Sequence, residues 1–444
     1  MNRCSFCFIA CLLFAVAFGS IHTCHAQQDS HWTQLRGQDG SGKSPTSTKP
    51  PVKIDFDQQV LWDTEIPGTG WSSPVYNDEL IWMTTAVSVE ASKEEIEKKL
   101  KGDPLAKIKT LAKSVELRAI AVSKSDGKLI HNVLLTNVDS PEPINPMNSY
   151  ASPTPALADG KVICHFGSYG TWCLDTKTAK SVWDTKYVVS HSVGPGSSPV
   201  VFDDKVILVC DGTDKQYVAA VDLKTGKEIW KTSRPPIRAT NGEYQKAYST
   251  PIQITVNDQK QLVIPCAQWV AGYEPETGKE IWRVDHGSGF SVSPMPIFDS
   301  GLVIFSTGYM RPEYVAVDPS GTGDVTKSHI KWRYKGASTM PSTVVNDGKL
   351  YAVTDKGIML CLDVKTGKEL NKVRVGGGYS ASPLLAGGLL YVANRDGVMK
   401  VIRCSEALET LATNRFESSI MASPIVVDED LLIRTEKKLM RIRK

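Results

Sequence analysis

Ten side chains that can bind ligands or carry protons stand in short polar segments between the apolar runs of this 444-residue chain. They are Trp71, Tyr150, His191, Arg238, Asn241, Glu243, His286, Arg311, Tyr379 and Arg395. Aromatic, amide, imidazole and charged groups together suit recognition of a ligand, a peptide or a glycan. For each residue taken alone, a role in a turn or in packing is the alternative interpretation. Binding, rather than any one reaction, is what these residue types predict.

Catalysis would require these side chains to form a nucleophile–base pair or a metal cluster. His191 has serines at positions 190 and 192, and His286 has Ser288 nearby, but serines recur throughout these segments. No G-x-S-x-G or H-E-x-x-H motif occurs in the sequence. Glu243 with Asn241 offers two oxygen ligands, whereas calcium takes about six to eight. We therefore expect no catalytic residue and no metal site.

The elements that must position these side chains follow a repeat. A Ser/Thr-Pro signature followed by an apolar run recurs, and the residue that starts each run is called its anchor. After a first interval of 81 residues the spacings are 40 to 52, the period of a four-stranded propeller blade. The anchors are residues 74, 155, 199, 251, 296, 343, 383 and 424.

A second signature follows most anchors and has the form Asp-x-x-Thr-Gly-Lys-x-x-Trp, or a close variant. It is clearest at residues 222–230, 274–282 and 363–370. An apolar strand ends at the acidic residue, Gly permits the turn, and the next residues begin an outer strand. We expect the tryptophans of this signature to pack between neighbouring blades. They are Trp183, Trp230, Trp282 and Trp332.

The number of predicted strands indicates that the ring of blades is closed. The last blade begins at Pro424 and lacks an outer strand, while Val60–Asp63 looks like an orphan copy of that strand. Pairing the two would remove the exposed edges. The predicted fold is therefore all-β, a single eight-bladed propeller of four-stranded antiparallel blades over residues 60–444. An extended segment, residues 27–59, precedes it.

The long first interval contains an insertion at about residues 90–115. Ser92 and Glu95 form a predicted capping box for one helix, and a second helix is expected from Leu105 to Lys113. The insertion is thus predicted to be a helical hairpin between the second and third strands of blade one. It could serve as a lid on the propeller rim or as an element that docks a partner.

Two cysteines stand on the two arms of one hairpin in blade two. If Ser168 and Tyr169 form a two-residue turn, Cys164 faces Cys173 within disulfide range. If the loop has three residues, Cys164 faces Trp172 instead. A disulfide and two buried thiols are the alternatives.

The Asp-x-x-Thr-Gly-Lys-x-x-Trp pattern resembles that of the pyrroloquinoline-quinone-like repeat family over roughly residues 60 to 444. That family includes quinoprotein alcohol dehydrogenases and non-enzymatic propellers of outer-membrane β-barrel assembly. The dehydrogenases hold quinone under two adjacent cysteines, with calcium nearby, and this sequence has no adjacent cysteines. The resemblance therefore implies a non-catalytic binding or scaffold protein without a required cofactor. The alternative is an oxidoreductase that uses the quinone and calcium to act on alcohols or sugars.

The first 26 residues have the pattern of a secretory signal peptide, with a cleavage site after Ala26. An uncleaved anchor is the alternative, and a lipid anchor fits the sequence less well. The expected location is periplasmic or extracellular. The net charge of +3 and the lack of a basic stripe argue against nucleic acid. We expect a monomer that binds a protein, peptide or glycan of the cell envelope.

Overall fold

The computed structural model describes residues 31–45 and 47–444. The predicted signal peptide, residues 1–26, lies outside the described residues. Eight antiparallel sheets of four strands each follow one another along the chain, and one of them gains a fifth, parallel strand. In the described part of the chain, no helix is long and apolar enough to cross a membrane. The predicted eight-bladed propeller is confirmed.

The strands of blades one to four are β2 Val75–Tyr76, β3 Leu80–Glu90, β4 Ala112–Ser123 and β5 Leu129–Asp139; β6 Ala156–Ala158, β7 Lys161–His165, β8 Thr171–Asp175 and β9 Ser181–Thr185; β10 Val200–Phe202, β11 Lys205–Asp211, β12 Gln216–Asp222 and β13 Glu228–Ser233; β14 Ile252–Val256, β15 Gln259–Pro265, β16 Trp269–Tyr273 and β17 Glu280–Asp285.

The strands of blades five to eight are β18 Ile297–Asp299, β19 Leu302–Ser306, β20 Glu313–Val317 and β22 Ile330–Lys335; β23 Val344–Asn346, β24 Lys349–Val353, β25 Ile358–Asp363 and β26 Glu369–Arg374; β27 Leu384–Ala386, β28 Leu389–Ala393, β29 Val398–Arg403 and β30 Thr410–Arg415; β31 Ile425–Val427, β32 Asp430–Arg434, β33 Lys438–Ile442 and β1 Val60–Glu65. The parallel fifth strand of blade four is β21 Gly323–Asp324. The helices are α1 Phe56–Gln59, α2 Lys93–Leu100 and α3 Thr326–His329, with 3₁₀ turns at Ala106–Ile108, Gly167–Tyr169 and Gly242–Tyr244.

Blade eight joins the two ends of the propeller. Strand β1 pairs antiparallel with β33, from Val60 opposite Ile442 to Glu65 opposite Lys438. The N-terminal strand supplies the outer edge that the C-terminal hairpin lacks, as predicted. No blade is left as an open three-stranded sheet.

The Thr-Gly turns hold tryptophans of the preceding blade, as the second signature predicts. Trp183 Nε1 donates to Leu223 O at 2.9 Å, in the turn of the next blade. Gly226 of that turn has φ +68°, and a Cβ there would lie 2.6 Å from the Trp183 ring. Trp230 and Trp332 repeat this contact with the turns after them. Glycine is therefore required both for the turn and for the close approach of the ring.

Trp282 departs from this pattern. It is fully buried, but its Nε1 donates to Gln261 Oε1 at 2.7 Å within its own blade. Blade five has a Thr-Gly pair, Thr322–Gly323, but it lies in a longer connection and a Cβ on Gly323 would meet no atom within 4 Å. Its longer connection instead adds strand β21, in which Gly323 pairs with Trp282.

The Ser/Thr-Pro repeat forms a ring of hydrogen bonds around the channel. The residue before each anchor is Ser or Thr in every blade except blade five, where it is Met295. In seven places its backbone N–H donates, at 2.9 to 3.1 Å, to the hydroxyl of the corresponding residue in the next blade. Thr250 is the exception, since its neighbour Met295 has no hydroxyl. The repeated serines thus fasten blade to blade.

The insertion in blade one is one helix and a long β-ribbon rather than a helical hairpin. Helix α2 begins after Ser92, whose predicted capping box with Glu95 is confirmed. The predicted second helix, residues 105–113, is wrong. Only a 3₁₀ turn forms at Ala106–Ile108, and β4 begins at Ala112. The reason is tertiary pairing, because Thr110 forms an antiparallel bridge with Ile144 and the following residues pair with β3.

The hairpin of blade two has the three-residue form. Cys164 lies opposite Trp172, and Ile163 lies opposite Cys173. Since neighbouring residues of a strand point to opposite faces, the two cysteines lie on opposite faces of the blade. Both are buried free thiols. This register corrects the disulfide alternative for Cys164 and Cys173.

The segment before β1 crosses one end of the channel, where the innermost strands finish. The backbone of Trp32 pairs with Tyr76 in blade one, and the Ser44 N–H donates to Leu385 O in blade seven at 2.9 Å. We call residues 31–45 the plug and this end of the channel the plugged mouth. The plug thus reaches from blade one to blade seven across the channel.

Arg36 fastens the plug to the blades. Its guanidinium donates to Gly40 O at 3.3 Å and to Ser41 O at 3.0 Å within the plug. It also donates to Thr343 O and, at 3.5 Å, to Pro383 O, which are anchors of blades six and seven. Arg36 is only 3% exposed. A buried charge therefore joins the plug to the innermost strands.

Candidate functional site

The ten candidate residues lie at the end of the channel opposite the plug, which we call the loop mouth. It is ringed by the loops that lead into the innermost strands and by those that join the middle strands of each blade. Hydrogen bonds tie the two sets together, such as Thr213 N–H to Ser190 O and Arg395 N–H to Gly378 O, both at 2.8 Å. The candidates therefore share one mouth, although they are spread around it.

Four candidates bury a polar atom that has no hydrogen-bond partner among the described residues. These atoms belong to the loops leading into blades one, three, five and seven. They are Trp71 Nε1, His191 Nδ1, His286 Nδ1 and Tyr379 Oη. Buried polar atoms are normally paired, so these four are places where a ligand, partner or water can complete the bonding.

The two histidines present opposite hydrogen-bonding character. Ser168 N–H donates to His191 Nε2 at 3.1 Å, so Nε2 is the acceptor and the unpaired Nδ1 carries the proton. His286 Nε2 lies 3.0 Å from Cys266 O and must donate, which leaves its Nδ1 as an unpaired acceptor. Burial lowers the pKa of each imidazole to about 4. Both rings are therefore neutral at neutral pH, one a donor and the other an acceptor.

Among the described residues, no serine hydroxyl bonds to the His191 ring. The neighbouring Ser192 hydroxyl instead donates to Glu243 Oε1 at 2.6 Å. Glu243 also forms an ion pair with Lys246, whose side chain is 4% exposed. Asn241 caps a 3₁₀ turn through its side-chain oxygen, which accepts from Glu243 N–H at 2.9 Å. The oxygens considered for calcium are therefore already engaged.

Two aromatic candidates shape the mouth from within. Tyr150 is 4% exposed, and its hydroxyl donates to Glu142 O at 3.0 Å and accepts from Ala112 N–H at 3.3 Å. It therefore ties the insertion of blade one to the loop leading into blade two. Tyr379 is fully buried, and burial raises its pKa to about 12. Its hydroxyl is protonated and can donate.

The three arginine candidates differ in how many of their side-chain groups already form ion pairs or hydrogen bonds. Arg238 pairs with Asp285 at 2.7 Å, and its guanidinium lies 5.5 Å from the Trp269 ring centre. Arg395 donates weakly to Asp355 O at 3.4 Å. Arg311 is exposed, and no hydrogen bond or ion pair engages its side chain among residues 31–45 and 47–444. Arg311 is thus the candidate most available to a partner.

An aromatic row crosses the loop mouth between blades four and five. The Phe290 ring centre lies 4.8 Å from that of Tyr244 and 5.8 Å from that of Tyr309. Tyr244 is 45% exposed, Tyr309 57% and the adjacent Met310 64%. None of these was among the ten candidates. Their sequence signal was weak, because three aromatic residues from three separate loops meet only in the fold.

Beneath the loop mouth, a buried ion pair was also missed. Arg234 donates to Asp211 from Nε and Nη2 at 3.1 Å, and both side chains are at most 1% exposed. Arg234 further donates to the Tyr273 hydroxyl at 3.0 Å. The bond of Arg234 to Tyr273, in blade four, joins blades three and four and supports the loop that carries Arg238.

The plug contains a motif absent from the candidates named above. Residues 37–44 read Gly-Gln-Asp-Gly-Ser-Gly-Lys-Ser, the spacing of a phosphate-binding loop. The expected context of a strand before it and a helix after it is lacking. Within the motif, the N–H groups of Gly40, Gly42 and Ser44 donate to protein carbonyls. These groups therefore cannot cradle a phosphate.

Among the described residues, no group of three or more His, Cys, Asp or Glu side chains is placed to hold a metal ion. The loop mouth is therefore a surface of hydrogen-bonding groups, aromatic rings and arginines. Such a surface can bind, and its geometry offers no nucleophile–base pair between His191 and its neighbouring serines.

Known proteins share this repeat and fold. The family model of the outer membrane protein assembly factor BamB matches residues 77–260 and 267–417. BamB of Legionella pneumophila is 25% identical over 216 residues, 47% of this chain and 51% of that protein. A tetrathionate hydrolase of Acidithiobacillus ferrooxidans is 21% identical over 260 residues, 56% of this chain and 50% of that protein. The chain spans about half the length of these relatives.

Two solved structures show the same fold. BamB from Moraxella catarrhalis superposes with a TM-score of 0.54 at 12% identity, covering 76% of this chain and 100% of that one. A quinohemoprotein alcohol dehydrogenase from Pseudomonas putida gives 0.62 at 12% identity, covering 94% of this chain and 80% of that one. At such identity the likeness concerns the fold alone. Because the family model matches most of the sequence, this chain belongs to the PQQ-like repeat family of the outer membrane protein assembly factor BamB.

Proposed function

We propose that this chain is an exported, non-catalytic propeller that binds a protein, peptide or glycan of the cell envelope at its loop mouth. The family supports a role in outer-membrane or envelope assembly, and residues 1–26 support export. We further propose that it works as a monomer in the periplasm or outside the cell. Fold alone would not decide between binding and chemistry, so the proposal rests on the loop mouth.

The aromatic row carries the proposal. Tyr244, Phe290 and Tyr309 form a continuous row of rings whose two ends are exposed to about half their area or more. Met310 extends the row and has φ +85°, a backbone conformation that a non-glycine residue rarely adopts. Exposed aromatic groups on loops of a rigid scaffold are typical of recognition surfaces. The energy of binding would come from burying these rings.

Polar groups around the row would supply specificity. Arg311 adjoins Met310 and is free to pair with a carboxylate or phosphate of the partner. The unpaired Nδ1 atoms of His191 and His286 offer a donor and an acceptor. A partner with both apolar and hydrogen-bonding groups, such as an extended peptide or a glycan, matches this mixture.

The quinoprotein alternative fits the residues poorly. The sequence has no adjacent cysteines to cover a quinone. Glu243 is held by Lys246 and Ser192, and the Asn241 oxygen caps its own turn, so neither is free to ligate calcium. We therefore propose no required cofactor. Absorption spectra of the protein supplied with the quinone and calcium, together with dye reduction by alcohols or sugars, would show a quinoprotein if this is wrong.

Site-specific crosslinking tests the binding surface. A photoreactive residue placed at Met310 should capture one discrete partner in living cells, and Tyr244→Ala with Tyr309→Ala should reduce that capture at least tenfold. The matched control is Val182→Ala with Ile229→Ala, which removes aliphatic side chains that are 47% and 43% exposed on outer strands. Equal capture by wild type and by the aromatic double variant would refute the loop mouth as the binding surface.

A further inference from the structure

A small cavity of about 10 Å³ lies between the plug and the innermost strands. One wall is formed by Trp32, Arg36 and Gly42 of the plug. Part of the other wall is formed by Ser73 and Ser423, which belong to the ring of hydrogen bonds between the blades. The rest of the lining is proline and aliphatic side chain from blades seven and eight. The space holds one particle about the size of a water molecule or a halide ion. It is separate from the loop mouth.

The groups around this cavity that lack partners are hydrogen-bond donors. Trp32 Nε1–H is buried and has no acceptor among the described residues. The Ser73 hydroxyl oxygen accepts from Ser423 N–H at 3.1 Å, and the Ser423 hydroxyl oxygen accepts from Ser382 N–H at 2.9 Å. Because both oxygens already accept, the hydroxyl protons remain to be donated. An occupant of the cavity must therefore accept hydrogen bonds from these groups.

The charge beside the cavity is positive and lacks a paired acid. No carboxylate of the described chain forms an ion pair with Arg36, and the exposed Asp39 is the acid that acts on it. A second arginine, Arg434 at the end of β32, lies close by. It donates to Ser72 O at 2.8 Å and to the Ser72 hydroxyl at 2.6 Å. Arg434 also lacks an acidic partner among the described residues. Burial lowers the pKa of Arg36 to about 10 and that of Arg434 to about 9, so both are charged at neutral pH.

Arg434 is the one charged side chain at its level of the channel. The strand registers place Thr84, His165, Val209, Pro265, Ser306, Val353 and Ala393 at the corresponding position in blades one to seven. None of these supplies a negative charge. Two buried guanidinium groups therefore flank the Ser72–Ser73 segment without an ion-pair partner among the described residues, and only the exposed Asp39 acts on Arg36. An anion beside them would lower the cost of burying these charges.

We propose that the cavity between Trp32, Arg36, Ser73 and Ser423 binds one small inorganic anion of halide size, such as chloride. The anion accepts from the indole N–H and the two hydroxyls, neutralises the field of Arg36, and fastens the plug to blades one, seven and eight. A phosphate does not fit this space. A water molecule would fit it, but would leave the guanidinium charge uncompensated.

Thermal unfolding of the full chain tests the proposal in solution. The protein is unfolded in sodium chloride, sodium bromide and sodium gluconate at equal ionic strength, because gluconate is too large for the cavity. An anion at about 0.1 M with a dissociation constant of about 10 mM shifts the unfolding equilibrium about tenfold toward the folded state. We expect chloride and bromide to raise Tm relative to gluconate. Equal Tm in the three salts would overturn the proposal.

Crystals grown in bromide give the direct measurement. An anomalous peak in the cavity supports the proposal, and density without an anomalous signal shows water there and overturns it. This readout is independent of how stable any variant is.

Two tryptophan variants separate the anion effect from general destabilisation. Trp32→Phe keeps an aromatic ring but removes the unpaired indole N–H. Trp82→Phe is the matched control, since Trp82 is fully buried in blade one and its Nε1 is likewise unpaired. We expect the chloride-minus-gluconate difference in Tm to shrink by at least half in Trp32→Phe and to persist in Trp82→Phe. An unchanged difference in both variants would overturn the assignment of the anion to this cavity.

Discussion

The two ends of the channel are built from the same eight blades, but a segment of chain covers one end and loops with exposed aromatic rings surround the other. At the plugged mouth, residues 31–45 pair with blades one and seven, and Arg36 finds backbone carbonyls on four sides. At the loop mouth, four candidate side chains bury unpaired atoms, and an aromatic row remains exposed. The difference teaches that the repeat alone builds neither mouth. The plug comes from a segment outside the repeat, and the loops come from its most variable positions.

The largest expected difference between the two mouths is in their stability to acid, which should be lower at the loop mouth. Burial lowers the pKa of His165 to about 3 and those of His191 and His286 to about 4, from 6.5 for a free histidine. The unfolded chain takes up these protons and the folded chain does not, so stability falls as pH drops from about 6.5 to about 4. Each pKa unit corresponds to about 1.4 kcal/mol, which gives several kcal/mol for the three groups. In hydrogen exchange, the loop mouth should lose protection before the plug.

A histidine variant checks the origin of that pH dependence. His286→Gln keeps a donor toward Cys266 and should flatten the slope of unfolding free energy against pH. Glu142 acts in the opposite direction over the same range, because burial raises its pKa. A slope that is the same in wild type and His286→Gln would contradict the prediction.

Arg234→Met should have the next largest effect and lower the free energy of unfolding by about 3–5 kcal/mol, because it leaves Asp211 buried without its partner beneath the loop mouth. Arg238→Met is the control, since Arg238 is half exposed in its ion pair and should cost less than about 1 kcal/mol. Urea denaturation measures both. Similar losses in the two variants would show that the loop mouth does not depend on the buried pair.

Gly42→Ala should loosen the plugged mouth without touching the loops. Gly42 has φ +72°, and a Cβ there would lie 2.4 Å from the Arg36 guanidinium. Gly102→Ala is the control because Gly102 has φ +83° but open space around it. We expect about 1 kcal/mol of backbone strain in the control and at least about 2 kcal/mol in Gly42→Ala. Limited proteolysis should cut residues 31–45 faster only in Gly42→Ala.

Tyr309→Ser should have the smallest effect on stability, less than about 0.5 kcal/mol, because the side chain is already 57% exposed. It should nevertheless reduce crosslinking to the partner. A loss of stability comparable to that of Gly42→Ala would mean that the aromatic row is part of the core rather than a free surface.

The sequence was sufficient for the blades because each repeat carries its own local signal. The Thr-Gly turns and the Trp residues follow from chain geometry, and the orphan strand at Val60–Asp63 follows from the count of strands. The second helix, residues 105–113, could not be excluded because its helical spacing is overridden by the pairing of Thr110 with Ile144.

Contacts between distant segments were beyond the sequence. The aromatic row joins residues from three loops, and Arg36 meets Thr343 across 307 residues of chain. The glycines at positions 37, 40 and 42 were the available signal for a compact turn around Arg36, since all three have positive φ. That pattern predicts a turn, but it does not say which end of a channel the turn occupies.

The pairing of β1 with β33 has a consequence for the order of events in the life of the chain. Lys438 reaches back 375 residues to Asp63, so the last blade cannot be assembled until β33 has been synthesised. A ring that closes by joining its own ends remains open while its C-terminus is still being made or translocated. If the chain is exported as proposed, it would stay unclosed until β33 has crossed the membrane, and the ring would then close in the compartment that the chain reaches.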